Sequence, residues 1–218
     1  MSPVSPAKGL PQRIVLEGRY TRLEPLGPQH VAGLYRAATT ADGRERFDYL
    51  FEFAPDSEAQ MASFVQTAAA KTDPMMWAVV DAATGTAEGR QALMRIVPEH
   101  GVIEVGSIYW GPNMARSRLA TEALFLHARY VFDGLGYRRF EWKCNNLNEP
   151  SKRAAQRFGF TFEGIFRQHM IQKGANRDTA WFAMLDGDWP RYRAEYERWL
   201  DPSNFDANGQ QKSRLAIG

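Results

Sequence analysis

A short polar loop with two arginines offers the clearest chemistry in this chain. An apolar run at residues 102–110 ends at Gly111-Pro112, and Arg116 and Arg118 follow just before an amphipathic segment that begins near Leu119. The first turn of a helix has backbone N–H groups without intrahelical partners and carries the positive end of the helix dipole. Such a terminus binds anions, and guanidinium groups suit phosphate esters. The spacing therefore predicts a site for a phosphorylated ligand at a strand-to-helix junction.

The composition is that of a globular protein with a substantial apolar core. Of the 218 residues, 44% are hydrophobic and 12% are aromatic, and this length suits one domain with short appendages. The formal net charge is only +2, with the two signs interspersed. Because nucleic-acid binders usually carry a concentrated basic charge, we expect no nucleic-acid partner.

Cysteine content and hydropathy exclude several further classes of protein. The single cysteine, Cys144, rules out an internal disulfide and a cysteine zinc cluster, and it suits a reducing compartment. No apolar run reaches the length of a membrane span, and the N-terminal residues lack the apolar core of a signal peptide. We therefore expect a cytoplasmic protein without a metal and without a membrane partner.

The two ends of the chain differ in composition from the part between them. Residues 1–13 contain three prolines and few large apolar groups, which predicts a flexible arm. Residues 201–218 are polar and rich in helix-breaking residues, which predicts a flexible tail. Residues 14–200 show no linker or internal repeat, so we predict a single domain there.

Apolar periodicity predicts alternating strands and helices within that domain. The predicted strands are residues 20–25, 77–81, 91–97, 102–110, 137–143, 165–172 and 179–185. The predicted helices are residues 28–38, a segment that starts at Asp56, and residues 119–134, 148–158 and 189–200. This order predicts a mixed α/β sheet with the anion loop after its fourth strand.

Several motifs in this order resemble the GNAT N-acetyltransferase superfamily, and in particular the branch with ribosomal-protein N-terminal alanine and serine acetyltransferases. The resemblance covers roughly residues 14 to 187. It rests on LEGRYTRLEPLGPQHVAGLY, Glu104-Val105-Gly106, Gly111-Pro112, Ala120-Thr121-Glu122-Ala123, Asn148-Glu149-Pro150-Ser151, Phe158-Gly159-Phe160 and Glu163-Gly164. It implies a GNAT-like mixed, mostly antiparallel central sheet with splayed fourth and fifth strands, flanked by helices.

The resemblance also implies an acyl donor and a binding site for it. In this family the pantetheine arm of acetyl-CoA lies between the splayed strands, where it takes the place of a missing strand. The pyrophosphate would bind the backbone amides of residues 115–120, and Asn148 would cap the next helix and contact the CoA arm. The residues implied to bind this cosubstrate are Ile108, Tyr109, Trp110, Ala115, Arg116, Ser117, Arg118, Leu119, Ala120 and Asn148.

Two residues are candidates for proton transfer by the same resemblance. Glu104 matches a carboxylate that often serves as the base, which must deprotonate an ammonium substrate before its nitrogen attacks the thioester. Ser151 could protonate the departing thiolate, directly or through water. Each also has an interpretation without chemistry: Glu104 as a solvent-facing strand carboxylate, and Ser151 as a first-turn helix residue. The implied reaction needs no metal and no covalent intermediate.

The chain departs from the family pattern at the loop itself. The usual pattern is Gln or Arg, two residues, Gly, one residue, then Gly or Ala, and it falls here on Ala115, Arg118 and Ala120. A glycine normally stands at the positions of Arg116 and Arg118, and it permits backbone torsions that arginine disfavours. Either the loop keeps a helical approach and guanidinium groups replace the lost contacts, or CoA binding is weak, shifted or lost. We favour the first because two arginines remain at an anion site.

A second departure is Ala155, where many relatives have a tyrosine as the general acid. The acid would then be Ser151 or a tyrosine from elsewhere, such as Tyr109.

The acceptor stays open at this stage. Residues 44–55 mix acidic groups with phenyl rings, which suits a cationic amine, whereas the later hairpin has a basic edge that suits an acidic acceptor or a CoA phosphate. That edge consists of Arg167, His169, Lys173 and Arg177. We therefore expect either a small amine or a protein N-terminus as acceptor, and a homodimer in keeping with relatives that share this hairpin.

Taken together, the residues and the resemblance predict an N-acyltransferase that uses acetyl-CoA. The alternative is a non-catalytic GNAT relative that binds CoA or a metabolite for regulation or assembly.

Overall fold

The computed structural model describes residues 5–217. Its strands are β1 (Leu16–Glu17), β2 (Thr21–Pro25), β3 (Met75–Asp81), β4 (Ala87–Val97), β5 (Val102–Trp110), β6 (Arg139–Asn145), β7 (Thr161–Gln172) and β8 (Ala175–Leu185). Its α-helices are α1 (Val31–Thr39), α2 (Ala41–Glu45), α3 (Glu58–Ala69), α4 (Arg118–Arg129), α5 (Glu149–Arg157) and α6 (Trp189–Leu200).

All eight strands form one sheet in the order β1-β2-β3-β4-β5-β6-β8-β7. Neighbouring strands are antiparallel except β5 and β6, which are parallel. The predicted mixed, mostly antiparallel sheet is therefore confirmed. The predicted fourth and fifth strands are β5 and β6 here, because the two-residue strand β1 precedes the first predicted strand.

The strands carry apolar side chains on both faces because helices cover both faces. In β3, residues Met75, Trp77 and Val79 pack in a core with α4 and α6, whereas the alternate residues face a second core with α1 and α3. This division follows from the two-residue repeat of a strand. A strand buried on both faces reads as a continuous apolar run, and that run made β3 predictable.

An irregularity in β5 separates it from β6. Ala92 pairs with Gly106 and Arg90 with Tyr109, so β5 has one residue more than β4 over this interval. Such a bulge bends the strand that contains it, and Ser107 within it has a left-handed φ of +47°. The pairing of β5 with β6 ends at Val105. The predicted splay of these two strands is therefore confirmed.

Both ends of the described chain contact the domain. The Ala7 N–H donates to the Pro98 carbonyl at 2.9 Å, and the Tyr137 hydroxyl donates to the Gly9 carbonyl at 3.0 Å. Near the other end, Phe205 and Ile217 are buried. Residues 1–4 and 218 lie outside the described part, so the predicted domain boundaries and the flexibility of the ends stay predictions.

No helix within residues 5–217 combines the length and the apolar character needed to cross a membrane.

Candidate functional site

A cavity of about 150 Å³ lies where β5 and β6 separate. One side is formed by the two strands themselves, and another by the first residues of α5. The roof comes from the loop between α2 and α3 and from the β7–β8 hairpin. The lining residues used below are Phe51, Glu52, Arg95, Glu104, Ser107, Ile108, Trp142, Lys143, Cys144, Asn148, Ser151, His169, Arg177 and Thr179.

Glu104 is the buried carboxylate of this cavity. Its side chain is only 6% exposed, and its Oε2 lies 2.9 Å from Lys143 Nζ and 3.1 Å from Arg95 Nε. Burial raises the pKa of Glu104, although Lys143 and Arg95 oppose that rise. A carboxyl with a raised pKa is a stronger base. The alternative of a solvent-facing strand carboxylate is wrong, because the side chain is buried.

Lys143 links Glu104 to a second carboxylate. Its Nζ lies 2.7 Å from Glu141 Oε2 and 3.9 Å from the centre of the Trp181 ring, and its side chain is 5% exposed. Glu104 and Glu141 are direct partners in the parallel β5–β6 register. Since this register is non-local, no local pattern in the sequence marks Lys143 or Arg95 as a site residue. In the sequence, charged and apolar residues alternate along this strand (RFEWK), and nothing distinguishes Lys143 from the other charged residues.

Asn148 and Ser151 stand at the start of α5. The Asn148 Oδ1 accepts the Ser151 N–H at 3.1 Å, so the predicted helix cap is confirmed. The Ser151 hydroxyl accepts a hydrogen bond from Trp142 Nε1 at 3.0 Å, and the neighbouring Cys144 also lines the cavity. These contacts hold Ser151 in the cavity lining, and its role as an acid stays a prediction.

Tyr109 lies on the other side of the sheet from α4. Its hydroxyl donates to the Ala37 carbonyl of α1 at 2.9 Å, and its ring packs in the core with α1 and α3. Burial raises the pKa of Tyr109 to about 12. Its hydroxyl therefore faces away from the cavity and is unsuited to serve as the alternative acid. A contribution of its backbone to cosubstrate binding, like that of Ile108 and Trp110, stays a prediction.

A buried arginine holds the bulge in β5. Arg90 Nη1 donates to the Ser107 carbonyl at 2.6 Å, and its guanidinium pairs with Glu52 and lies 4.6 Å from the Phe64 ring centre. Burial lowers the pKa of Arg90 to about 9. This residue fixes the bend that opens the cavity. Arg90 was not among the predicted site residues, because it lies just before the predicted start of its strand.

The two arginines of the loop before α4 differ in backbone conformation. Ser117 caps α4: its hydroxyl accepts the Leu119 N–H at 3.2 Å and donates to the Met114 carbonyl at 2.8 Å. Arg118 begins the helix, as a helical approach requires. Arg116 does not, because its φ of +56° is left-handed, the region that glycine favours. The expected helical approach is therefore wrong at residue 116 and right at residue 118.

The Arg118 side chain stacks on two aromatic rings. Its guanidinium carbon lies 4.2 Å from the Tyr20 ring centre and 5.3 Å from that of Phe205. Cation–π contacts of this kind stabilise the start of α4 against β2 and the C-terminal segment. The remaining groups that suit a phosphate are the first N–H groups of α4, which have no intrahelical acceptor. The roles predicted for Ala115, Arg116, Ser117, Arg118, Leu119 and Ala120 stay predictions.

The two segments expected to form the acceptor site meet over the cavity. Gln172 Nε2 donates to the Tyr49 carbonyl and Lys173 Nζ to the Phe47 carbonyl, both at 2.8 Å. His169 Nδ1 lies 3.0 Å from Thr179 Oγ1. The loop and the hairpin therefore form one roof above Glu104. Among residues 5–217, no group of three or more His, Cys, Asp or Glu side chains is arranged to hold a metal ion.

The family of the chain follows from a match to a model of the acetyltransferase (GNAT) domain, which covers residues 21–161. The chain belongs to the GNAT family. The resemblance found in the sequence is confirmed, and the protein is an N-acetyltransferase of the GNAT type. The matched residues include the bulged β5, the loop before α4 and the whole of α5.

Known GNAT proteins share this architecture to different degrees. The crystal structure of a GCN5-related N-acetyltransferase from Brucella melitensis is 54% identical, with a TM-score of 0.94, over 97% of this chain and 96% of that one. The uncharacterized N-acetyltransferase YoaA of Bacillus subtilis is 28% identical over 133 residues, which are 60% of this chain and 75% of that protein. RimL, a ribosomal L7/L12 alpha-N-protein acetyltransferase, is 20% identical with a TM-score of 0.66, over 81% of this chain and 99% of that one. This last likeness shows the fold alone.

Proposed function

We propose that this GNAT protein transfers an acetyl group from acetyl-CoA to a primary amine by direct attack of the amine on the thioester. The observation that carries the proposal is the buried Glu104 carboxylate beside the point where β5 and β6 separate. A base and an opening for an extended ligand thereby meet at one place in the sheet.

The residues present suit an acyl-CoA. Beyond Val105 the backbone of β5 has no β6 partner, so an extended pantetheine-like chain can pair with it as an added strand. The backbone N–H groups in the first turn of α4 would hold the pyrophosphate. Asn148 would contact the arm between them. The bound thioester supplies the activated acyl group.

The remaining chemistry is proton transfer by residues of this chain. Glu104 would take a proton from the substrate ammonium, which frees the nitrogen lone pair to form the new C–N bond. As that bond forms, the C–S bond breaks and its electron pair leaves on the thiolate, while the nitrogen gives up a second proton to become the amide. Ser151 would relay this proton: its hydroxyl would give its own proton to the leaving sulfur and take up the one released by the nitrogen. The hydrogen bond from Trp142 Nε1 to the Ser151 hydroxyl oxygen supports this role.

The test is thiol release from acetyl-CoA across a panel of primary amines, with Glu104→Gln as the variant. We expect turnover to fall at least about a hundredfold, since a general base typically contributes two to four orders of magnitude. Glu141→Gln is the matched control. It removes the other carboxylate that pairs with Lys143, and Glu141 does not line the cavity. Equal losses in the two variants would show that Glu104 acts only as a partner of Lys143.

A second function is favoured by the loop that lacks the family glycines. In that case the protein binds CoA or a metabolite without turnover, for regulation or assembly. CoA that raises the melting temperature while no amine in the panel is acylated would favour this binding function over the enzyme.

A further inference from the structure

Arg177 is a buried cation of the cavity that the proposed chemistry does not use. The residue is 7% exposed and lines the cavity from β8. Its Nη1 makes one long contact of 3.5 Å with Gln172 Oε1, and its Nε has no hydrogen-bond partner within residues 5–217. An unsatisfied buried donor costs free energy, and a buried charge without a counter-ion costs more. A ligand that completes this site would therefore bind favourably.

The other charges of the cavity are already paired with one another. Glu104 pairs with Lys143 and Arg95, and Glu52 pairs with Arg90. Within the described chain, no carboxylate forms an ion pair with Arg177. The cavity thus has one positive charge that its own residues do not balance.

The position of Arg177 places that charge on the acceptor side. Its guanidinium carbon lies 5.1 Å from the ring centre of Phe51, on the loop between α2 and α3. The start of α5, where the CoA arm is proposed to lie, lines the same cavity, whereas the loop before α4 does not line it. Burial lowers the pKa of Arg177, and Arg177 and Glu104 both line this one cavity. Arg177 and Glu104 can therefore contact two ends of one small molecule.

We propose that the acceptor is a small primary amine that also carries a carboxylate, and that Arg177 binds this carboxylate while the amine faces Glu104. The proposal rests on the proposed function and names its acceptor class. One unbalanced positive charge matches the single charge of a carboxylate better than the double charge of a phosphate. The planar guanidinium matches a carboxylate by two parallel hydrogen bonds. A cavity of about 150 Å³ suits a small molecule.

The experiment measures binding separately from turnover. Glycine, β-alanine, 4-aminobutyrate and a set of α-amino acids are each compared with the matching primary amide by calorimetry on the protein saturated with CoA. We expect at least one acid to bind at least about tenfold more tightly than its amide, the range expected for hydrogen bonds to a charged group. Arg177→Gln should remove this preference, and Arg177→Lys should keep part of it.

Arg167→Gln is the matched control, because it removes the same charge from an exposed position on the same hairpin. It should keep the preference for the acid. Melting curves of all variants check that each is folded, and CoA titration of Arg177→Gln should match the wild type. Equal binding of acids and amides, no binding of either, or a preference that survives in Arg177→Gln would overturn the proposal. Weaker CoA binding by Arg177→Gln would overturn it too, since Arg177 would then serve the donor.

Two further arms separate the possible failures. A peptide with an N-terminal aspartate is compared with its asparagine counterpart, and a preference seen only there would overturn the small-molecule assignment in favour of a protein N-terminus. Thiol release is then measured with the same compounds. Acids that bind without turnover would refute the proposed enzyme and leave the Arg177 site standing. Turnover of the amides alone would support the proposed enzyme and refute the carboxylate site at Arg177.

Discussion

The proposed donor end and acceptor end of the site are built in different ways. At the donor end, the groups proposed to bind CoA are backbone groups of the loop before α4 and of the bulge in β5. The Arg118 side chain there stacks on the rings of Tyr20 and Phe205. At the acceptor end, charged side chains form the lining, and each carboxylate there has a cation within ion-pair distance. Backbone recognition tolerates a change of side chain, whereas recognition by side chains does not. Under the proposed function, this difference allows the loop before α4 to carry arginines at positions where the family has glycines.

The largest effect should come from the arginine that connects the two ends. Arg90→Gln removes the donor to the Ser107 carbonyl and leaves Glu52 without its buried partner. We expect the free energy of unfolding to fall by about 3–5 kcal/mol, the range for breaking a buried ion pair. Chemical denaturation measures it. Arg36→Gln is the control, because its side chain is 60% exposed in the pair with Glu88 and such pairs contribute about 0–1 kcal/mol. A similar loss of unfolding free energy in Arg90→Gln and Arg36→Gln would contradict the interpretation that Arg90 holds the bulge.

A smaller effect should appear in the pH dependence of turnover after Lys143→Met. Lys143 lowers the pKa of Glu104, so its removal should raise that pKa further. Since the ionised carboxylate is the base, turnover rises with pH, and this rise should move to higher pH by about one unit or more. The pH–rate profile of kcat gives the shift. Lys152→Met, which removes a lysine paired with the half-exposed Glu149, should leave the profile in place. A shift to lower pH would contradict the assignment of Glu104 as the base.

The smallest effects should have opposite signs at the two positions where the family has glycine. Arg116→Gly should raise the free energy of unfolding by up to about 1 kcal/mol, because it relieves a left-handed arginine. Arg118→Gly should lower it by about 1–2 kcal/mol, since it weakens the first turn of α4 and removes the stacking on Tyr20. Thermal melting distinguishes the two.

CoA titration of the same pair sharpens the comparison of the two ends. Backbone recognition at the donor end implies that Arg116→Gly binds CoA at least as tightly as the wild type. A large loss of affinity in that variant would show that the Arg116 guanidinium itself holds the phosphate.

The sequence predicted the elements whose signal is local. Helix α6 was predicted with the bounds it has, and the Asn148 cap follows from its position before α5. Strand β4 begins at Ala87, four residues before its prediction, because Glu88 and Arg90 interrupt the apolar pattern although both are buried. Their partners lie in α1 and in the loop between α2 and α3, and no local pattern reveals such contacts.

The site was predictable only in part for the same reason. Glu104 and Ser151 line one cavity with Asn148, and the resemblance to the GNAT family had identified all three. The Lys143 bridge depends on the parallel register of β5 and β6, and the unpaired Arg177 depends on how the hairpin meets the α2–α3 loop. The absence of a partner for Arg177 can be recognised only when the positions of all its neighbours in the fold are known.

The contact of Arg90 with both the Ser107 carbonyl and Glu52 has a thermodynamic consequence. Glu52 belongs to the roof over the acceptor, and Ser107 belongs to the bulge that makes room for the donor. A movement of the roof that weakens the contact between Arg90 and Glu52 also changes the position of the guanidinium that donates to the Ser107 carbonyl. If the proposed function holds, donor and acceptor binding are linked through the Arg90 guanidinium, and such linkage acts equally in both directions.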